Sequence, residues 1–181
     1  MIKLTDILKE IDDSKLVKKV RIFDFDDTLV KTDSYVYVTH QDGSKSTLSP
    51  GEYAVYMEKP GDQFDFSDFD KVTNPKLIKQ NVDILRQQVR EGKKIVILTA
   101  RGNYLPIKQF FQKMKLTPYV VALGHSDPQK KADYIEDLIK RGYNDIAFMD
   151  DSIKNVQAVD SLRYKYPDVK FVIKHHDEEV D

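Results

Sequence analysis

The sequence predicts an α/β protein: a doubly wound, mainly parallel sheet with a small unit inserted near its start. Three observations lead there. From residue 74 onward, short apolar runs alternate with amphipathic stretches at helical spacing. The runs at 94–99, 119–123 and 145–149 are apolar almost throughout, as strands buried on both faces are. Such alternation builds a parallel sheet covered by right-handed crossovers. Finally, residues 32–72 carry a hairpin and a helix of their own, more than a plain crossover needs. They read as an inserted cap on a core made of residues 19–31 and 73–174.

The elements follow in order. Residues 1–18 form an N-terminal segment whose helix, over 5–17, is predicted by Leu4, Ile7, Leu8 and Ile11 at helical spacing. Residues 19–24 read as a buried strand. Residues 34–39 alternate in the manner of a strand, and Asp42-Gly43 is a hairpin-turn signal. Ser49-Pro50-Gly51-Glu52 has the form of a capping box with proline at the first helical position, so a short helix through Tyr56 follows. Residues 61–70, acidic and aromatic without a clean period, read as an ordered loop.

Asn74-Pro75 opens a helix with Ile78, Val82, Leu85 and Val89 on one face, stopped by Gly92. After the strand at 94–99 come a helix at 104–115 and a strand at 119–123. Pro128 opens a helix that ends at Gly142, with Ile135, Leu138 and Ile139 inward. A strand at 145–149, a helix at 153–164 and a strand at 169–173 complete the core. Residues 175–181 read as a loose charged tail.

Composition narrows the function. A net charge of −1 supplies no bulk attraction to nucleic acid or to an anionic membrane. The absence of cysteine excludes disulfides, thiolate zinc sites and a cysteine nucleophile. The start lacks the unbroken apolar stretch of a signal peptide, and no segment is long enough to span a membrane. A cytoplasmic location without membrane partners is expected.

The chemistry gathers at the carboxyl ends of the strands, where open α/β sheets bind ligands. The first strand ends in Asp24, Asp26, Asp27 and Thr28. Asp24 and Asp26 point to the same side of an extended chain, and such a cluster is costly without a cation on it. A Mg²⁺ site with room for a phosphate is the expectation. The second strand delivers Thr99, Ala100 and Arg101. The third delivers His125 and Ser126, with Lys130 and Lys131 at the next helix start. The fourth delivers Asp150, Asp151 and Ser152, with Asn155 a turn later.

This set resembles the haloacid dehalogenase superfamily, in its aspartate-nucleophile phosphatase branch. Asp24-Phe25-Asp26-Asp27-Thr28 is similar to the first motif, Ile97-Leu98-Thr99-Ala100-Arg101 to the second, Lys131 to the third and Asp150-Asp151 to the fourth. Residues 25–160 also resemble short phosphatase-like proteins of tailed phages, which would place the protein in a host cytoplasm. The resemblance implies a Rossmann-like core and a set of roles. Asp24 would be the nucleophile that forms an aspartyl-phosphate. Asp26 would protonate the leaving oxygen and then deprotonate water. Mg²⁺ would be held by Asp24, the backbone carbonyl of Asp26, and Asp151, with Asp150 as an alternative ligand or a support.

Thr99 and Lys131 would hold phosphoryl oxygens, helped by backbone amides after the first strand. Lys130 competes with Lys131, which fits the family's lysine-then-apolar pattern through Tyr134 and Ile135. Arg101 either reaches substrate or pairs with an acid at the rim. His125 either contacts substrate or is a surface histidine. The expected reaction is Mg²⁺-dependent hydrolysis of a nucleotide or other small phosphomonoester. A polynucleotide 3′-end phosphatase comes next, and a noncatalytic phosphate- or metal-binding module is the rival of another class. The aromatics of the insertion, Tyr35, Tyr37, Tyr53, Tyr56 and the phenylalanines at 64, 66 and 69, either form its own core or stack on a base.

Overall fold

The computed structural model describes residues 3–5 and 16–177. Strand β1 (Lys19–Phe23) leads through a tight turn to β2 (Val30–Lys31). The insertion follows as β3 (Val36–Thr39), β4 (Lys45–Leu48), α1 (Pro50–Val55), β5 (Gln63–Asp65) and a 3₁₀ turn (Ser67–Asp70). Strand β6 (Lys76–Leu77) then returns to pair with β2. The remainder alternates as α2 (Lys79–Arg90), β7 (Lys94–Thr99), α3 (Leu105–Lys113), β8 (Tyr119–Ala122), α4 (Pro128–Lys140), β9 (Asp145–Asp150), α5 (Ile153–Asp160), α6 (Leu162–Lys165) and β10 (Lys170–His175).

The central sheet is parallel throughout, in the order β10–β9–β1–β7–β8. The period of two in its strands sorts side chains onto two cores. Val20, Ile22, Val96, Leu98, Ile146 and Phe148 pack on one face under α4 and α5. Phe23, Ile95, Ile97 and Met149 pack on the other under α2 and α3. The fold is therefore Rossmann-like, with helices on both faces. Chain order runs outward from β1 through β7 to β8, then crosses to β9 and β10. The carboxyl ends of β1 and β9 thus flank the point where the winding reverses, which is where such sheets form a crevice.

The insertion is a three-stranded antiparallel sheet, β4–β3–β5, with its own small core of Val36, Val38, Leu48 and Phe69. Tyr53, Tyr56 and Phe64 pack against that core, and Tyr53, Phe64 and Phe66 meet ring to ring. Most of the aromatics therefore serve packing. Ser49 caps α1: the Glu52 amide donates to Ser49 Oγ at 3.2 Å, and the Glu52 carboxylate accepts from that hydroxyl at 3.2 Å rather than from the Ser49 amide of a full capping box. Three of the four acids of 61–70 hold the unit's own backbone and hydroxyls, while Asp70 accepts from Asn103 Nδ2 of the core at 3.3 Å. Asp62 accepts from Tyr56 Oη (2.7 Å) and the Lys59 amide, Asp65 from the Ser67 amide, and Asp68 from Tyr37 Oη and the Tyr35 amide.

Several boundaries differ from expectation. The stretch at 61–70 is not a plain loop, because its first half adds to β3 as an edge strand. Asn74-Pro75 does not open a helix. Lys76 and Leu77 pair with Lys31 and Val30 instead, and helix α2 starts only at Lys79. The helix expected over 153–164 breaks at Ser161 into α5 and α6. Of the N-terminal helix, residues 6–15 lie outside the described residues, and Leu16, Val17 and Lys18 are not helical. The expected tail begins too early: His175 belongs to β10, and the buried His176 donates its amide to the Asp150 carbonyl at 2.9 Å. Residues 178–181 lie outside the described residues. Among the described residues no helix is long and apolar enough to cross a membrane.

Candidate active site

The carboxyl ends of β1 and β9 bring three carboxylates together. Asp24, Asp150 and Asp151 each offer an oxygen, and these oxygens all lie within 4.8 Å of one another. Asp24 is placed there by the sheet itself, since its amide donates to the Met149 carbonyl of β9 at 2.9 Å. Lys131 enters from the first turn of α4, which Asp127 caps and Pro128 opens. The lysine is only 3% exposed, and its Nζ donates to Asp24 Oδ1 at 2.8 Å and to Asp150 Oδ2 at 2.7 Å. Lys130, one residue earlier and so about 100° round the helix, is exposed and remains outside the site.

Asp150 is fully buried and heavily held. Besides Lys131 it accepts from the Ser152 amide and from Asn155 Nδ2 on α5. Asp151 is bound differently. Its amide donates to Thr28 Oγ1 at 3.0 Å, and Thr28 Oγ1 lies 3.0 Å from both Asp24 Oδ2 and Asp151 Oδ1. Thr28 thus links the Asp24 and Asp151 carboxylates. His175 Nε2 lies 2.8 Å from the Asp151 carbonyl. Thr28, His175 and His176 are supports to which the sequence reading gave no role. Thr28 was signalled only by its place in the acidic run.

The cluster is electrostatically frustrated. Burial pushes the Asp24 carboxyl well above its ordinary range, and repulsion from Asp150 adds to this against the attraction of Lys131. Asp151 is raised in the same way, by burial and then by Asp150. For Lys131, burial acts to lower the pKa, but attraction to Asp150 and Asp24 outweighs it and the ammonium is held charged. One lysine therefore faces three acids in a buried pocket, an oxygen-only donor set short of positive charge.

Folding favours neutral Asp24, because the folded chain raises its pKa. Its contribution to stability is present in full below its ordinary value and is lost as the pH rises through the raised one. In metal-free protein, Asp24→Asn should therefore melt above the wild type at about pH 7.5, with the gain shrinking toward about pH 4. Thermal melts in chelator across that range measure this. A gain that ignores pH would remove the buried charge on Asp24 as its cause.

Asp26 and Arg101 form a second constellation beside the first. Arg101 Nε donates to Asp26 Oδ2 at 2.8 Å and its Nη2 to Asp26 Oδ1 at 2.7 Å, a two-pronged pair. Of the two roles open to Arg101, the structure shows pairing with an acid, and that acid is Asp26. Thr99 is buried at the end of β7, where its hydroxyl accepts from the Arg101 amide at 3.1 Å. The expected amide nest is narrower than read, because the amides of Asp27, Thr28, Leu29 and Val30 all donate within the turn after β1. His125 is exposed, and its Nδ1 accepts from the Asp127 amide at 2.9 Å, a local turn contact away from the acids.

A cleft of about 50 Å³ joins the two constellations. Asp24, Asp26, Thr99, Arg101, Lys131, Asp150 and Asp151 all line it, and Pro50, Gly51, Tyr53 and Ala54 of the insertion roof it. That space holds a few water-sized groups. A larger groove of about 460 Å³ opens on the other side of Pro50 and Gly51, lined by Lys31, Tyr35 and Lys76 and reaching Asp151.

No family model matches the chain, and no curated protein does. Among solved structures it is similar to a hypothetical protein, XCC2798, from Xanthomonas campestris. The identity is 19% over 94% of this chain and 71% of that chain, with a TM-score of 0.37.

Proposed function

We propose that the chain is a phosphomonoester hydrolase of the haloacid dehalogenase type, using Mg²⁺ and an aspartyl-phosphate on Asp24, with the insertion as its cap. The observation that carries this reading is the meeting of Asp24, Asp150, Asp151 and Lys131 at the winding reversal, with Asp26 and Thr99 on the same cleft. The donor set fits the metal: carboxylate oxygens suit a hard divalent cation, and the raised Asp24 and Asp151 carboxyls mark missing positive charge. Asp24, Asp151 and the Asp26 carbonyl would hold Mg²⁺, while Lys131, Ser152 and Asn155 keep Asp150 in support. The ion supplies charge that offsets repulsion between Asp24 and a phosphate dianion.

The chain's own residues then divide the reaction. An Asp24 oxygen attacks phosphorus, forming the P–O bond of the aspartyl-phosphate as the bond to the leaving oxygen breaks. Asp26 gives that oxygen a proton, and later takes one from the water that releases phosphate. Arg101 donates to both Asp26 oxygens, and each oxygen keeps a second lone pair on which the proton can be carried. Lys131 and the Thr99 hydroxyl hold the transferring phosphoryl oxygens.

The narrow cleft under the insertion favours a nucleotide or another small phosphomonoester. The larger groove reaching Asp151 has room for the second reading, a polynucleotide 3′ end whose next phosphate lies along Lys31 and Lys76, although Asp27 and Asp33 on the same groove oppose a polyanion. Mononucleotides, sugar phosphates and 3′-phosphorylated oligonucleotides, assayed side by side, separate the two.

Hydrolysis of a generic aryl phosphate is expected with Mg²⁺ and is expected to vanish on exhaustive chelation, returning when the ion is restored. Full turnover in chelator would end the metal assignment. A wild type inactive on every substrate class would leave the noncatalytic module.

A further inference from the structure

Arg101 is the bulkiest of the fully buried side chains, at 1% exposure, and every N–H of its guanidinium has an acceptor. Two go to Asp26. Nη2 also donates to Thr32 Oγ1 at 3.2 Å, and Nη1 donates to the Lys71 carbonyl at 2.8 Å and the Phe69 carbonyl at 3.3 Å. Arg101 Cζ lies 4.6 Å from the Phe69 ring centre and 5.5 Å from that of Phe25. Thr32 is where the chain leaves the core for the insertion. Phe69 and Lys71 are where it comes back. A single buried side chain thus holds both limbs of the insertion and both oxygens of Asp26.

We propose that Arg101 is a positioning residue: a clasp that sets the seat of the insertion and the direction of the Asp26 carboxylate together, so that neither is lost alone. Its catalytic half rests on the phosphatase reading; its structural half does not. The guanidinium suits the task because it is flat, permanently charged and forked. Five acceptor oxygens on three chain segments lie in its reach, and a lysine ammonium has three donors on one atom with which to replace the five. Coupling through a shared partner is reciprocal. A change at Asp26, in the core, must therefore loosen the insertion, although Asp26 makes none of the insertion's own hydrogen bonds described above.

Hydrogen exchange read by peptide mass spectrometry tests this on the full chain, in wild type, Asp26→Ala and Arg101→Lys. Peptides from residues 33–70 should exchange about tenfold faster in both variants, within the range of coupling between contacting residues, while β1, β7 and β9 keep wild-type protection. Equal protection of the insertion in Asp26→Ala would overturn the clasp. So would uniform loss of protection across core and insertion, which marks plain destabilisation.

Aryl phosphate turnover supplies the second readout. Arg101→Lys should lower kcat with KM little changed, and should cost nothing further in an Asp26→Asn background. Additive losses, or a lowered melting temperature with turnover intact, would reduce Arg101 to a structural ion pair. A wild type without turnover would end the phosphatase reading and the catalytic half with it, and the exchange experiment would still decide the structural half.

Discussion

Asp24→Asn should leave a folded protein with turnover reduced at least about 10³-fold, the scale on which an essential member of a catalytic unit acts. The amide has no free carboxylate oxygen with which to accept a phosphoryl group, so the covalent step is lost outright. The fold should survive, for identifiable reasons. The Asp24 amide stays bonded to the Met149 carbonyl, and Lys131 keeps Asp150 as its counter-ion at 2.7 Å. Asp24→Asn also removes the carboxyl that burial and then Asp150 hold well above its ordinary range. Loss of turnover and gain of metal-free stability should therefore appear in the same variant, the signature of a site whose function opposes its stability. Steady-state assays and melts on one clean preparation measure both. Wild-type-like turnover would end the assignment of Asp24 as nucleophile.

How much of this was legible beforehand follows from how local each signal is. The strands that carry the site are apolar on both faces, and their ends are marked by abrupt polarity, as at Phe23-Asp24 and Met149-Asp150. Sheet placement of Asp24, Thr99 and Asp150 could therefore be read directly. The choice of Lys131 over Lys130 also follows from pattern, since Lys131 shares the inward face with Ala132, Ile135 and Leu138. What failed was what depends on partners distant in sequence. Asn74-Pro75 ahead of Ile78, Val82 and Leu85 has the form of a helix start, so the sequence predicts a helix from residue 74. Pairing with Val30-Lys31 draws Lys76 and Leu77 into a strand instead. Residues 63–65 become a strand only because Val38 and its neighbours offer an edge.

The roles of Thr28 and Arg101 were hidden for the same reason. Thr28 gains meaning from Asp151, 123 residues away, and Arg101 from Asp26, 75 residues away. A lone threonine or arginine carries no periodic signal. Only the fold decides which acid each one meets. The charge of residues 175–181 predicts a loose tail, whereas β10 runs in register with β9 as far as Asp150 and carries His175 and His176 to the acidic loop.

Asp26→Asn should part company with Asp24→Asn in a way that no general loss of structure can imitate. The nucleophile survives, and attack on a donor with a very good leaving group needs little proton transfer. Release of phosphate from Asp24 still needs a base to activate water, and the amide cannot serve. Covalent phosphoenzyme should therefore accumulate from an activated phosphoryl donor while steady-state turnover falls by about 10²–10⁴-fold, the usual contribution of a positioned acid or base. The substitution also replaces one of the two carboxylate acceptors of the Arg101 fork by an amide donor, so the insertion should loosen as well. Looser seating can slow both steps, but it cannot by itself make the intermediate persist. Rapid quenching and intact-mass measurement would show one added phosphoryl group on Asp26→Asn and none on Asp24→Asn. Equal labelling of the two variants would place the nucleophile elsewhere. If neither variant lost turnover in a preparation whose wild type is active, the mechanism built on Asp24 and Asp26 would be wrong.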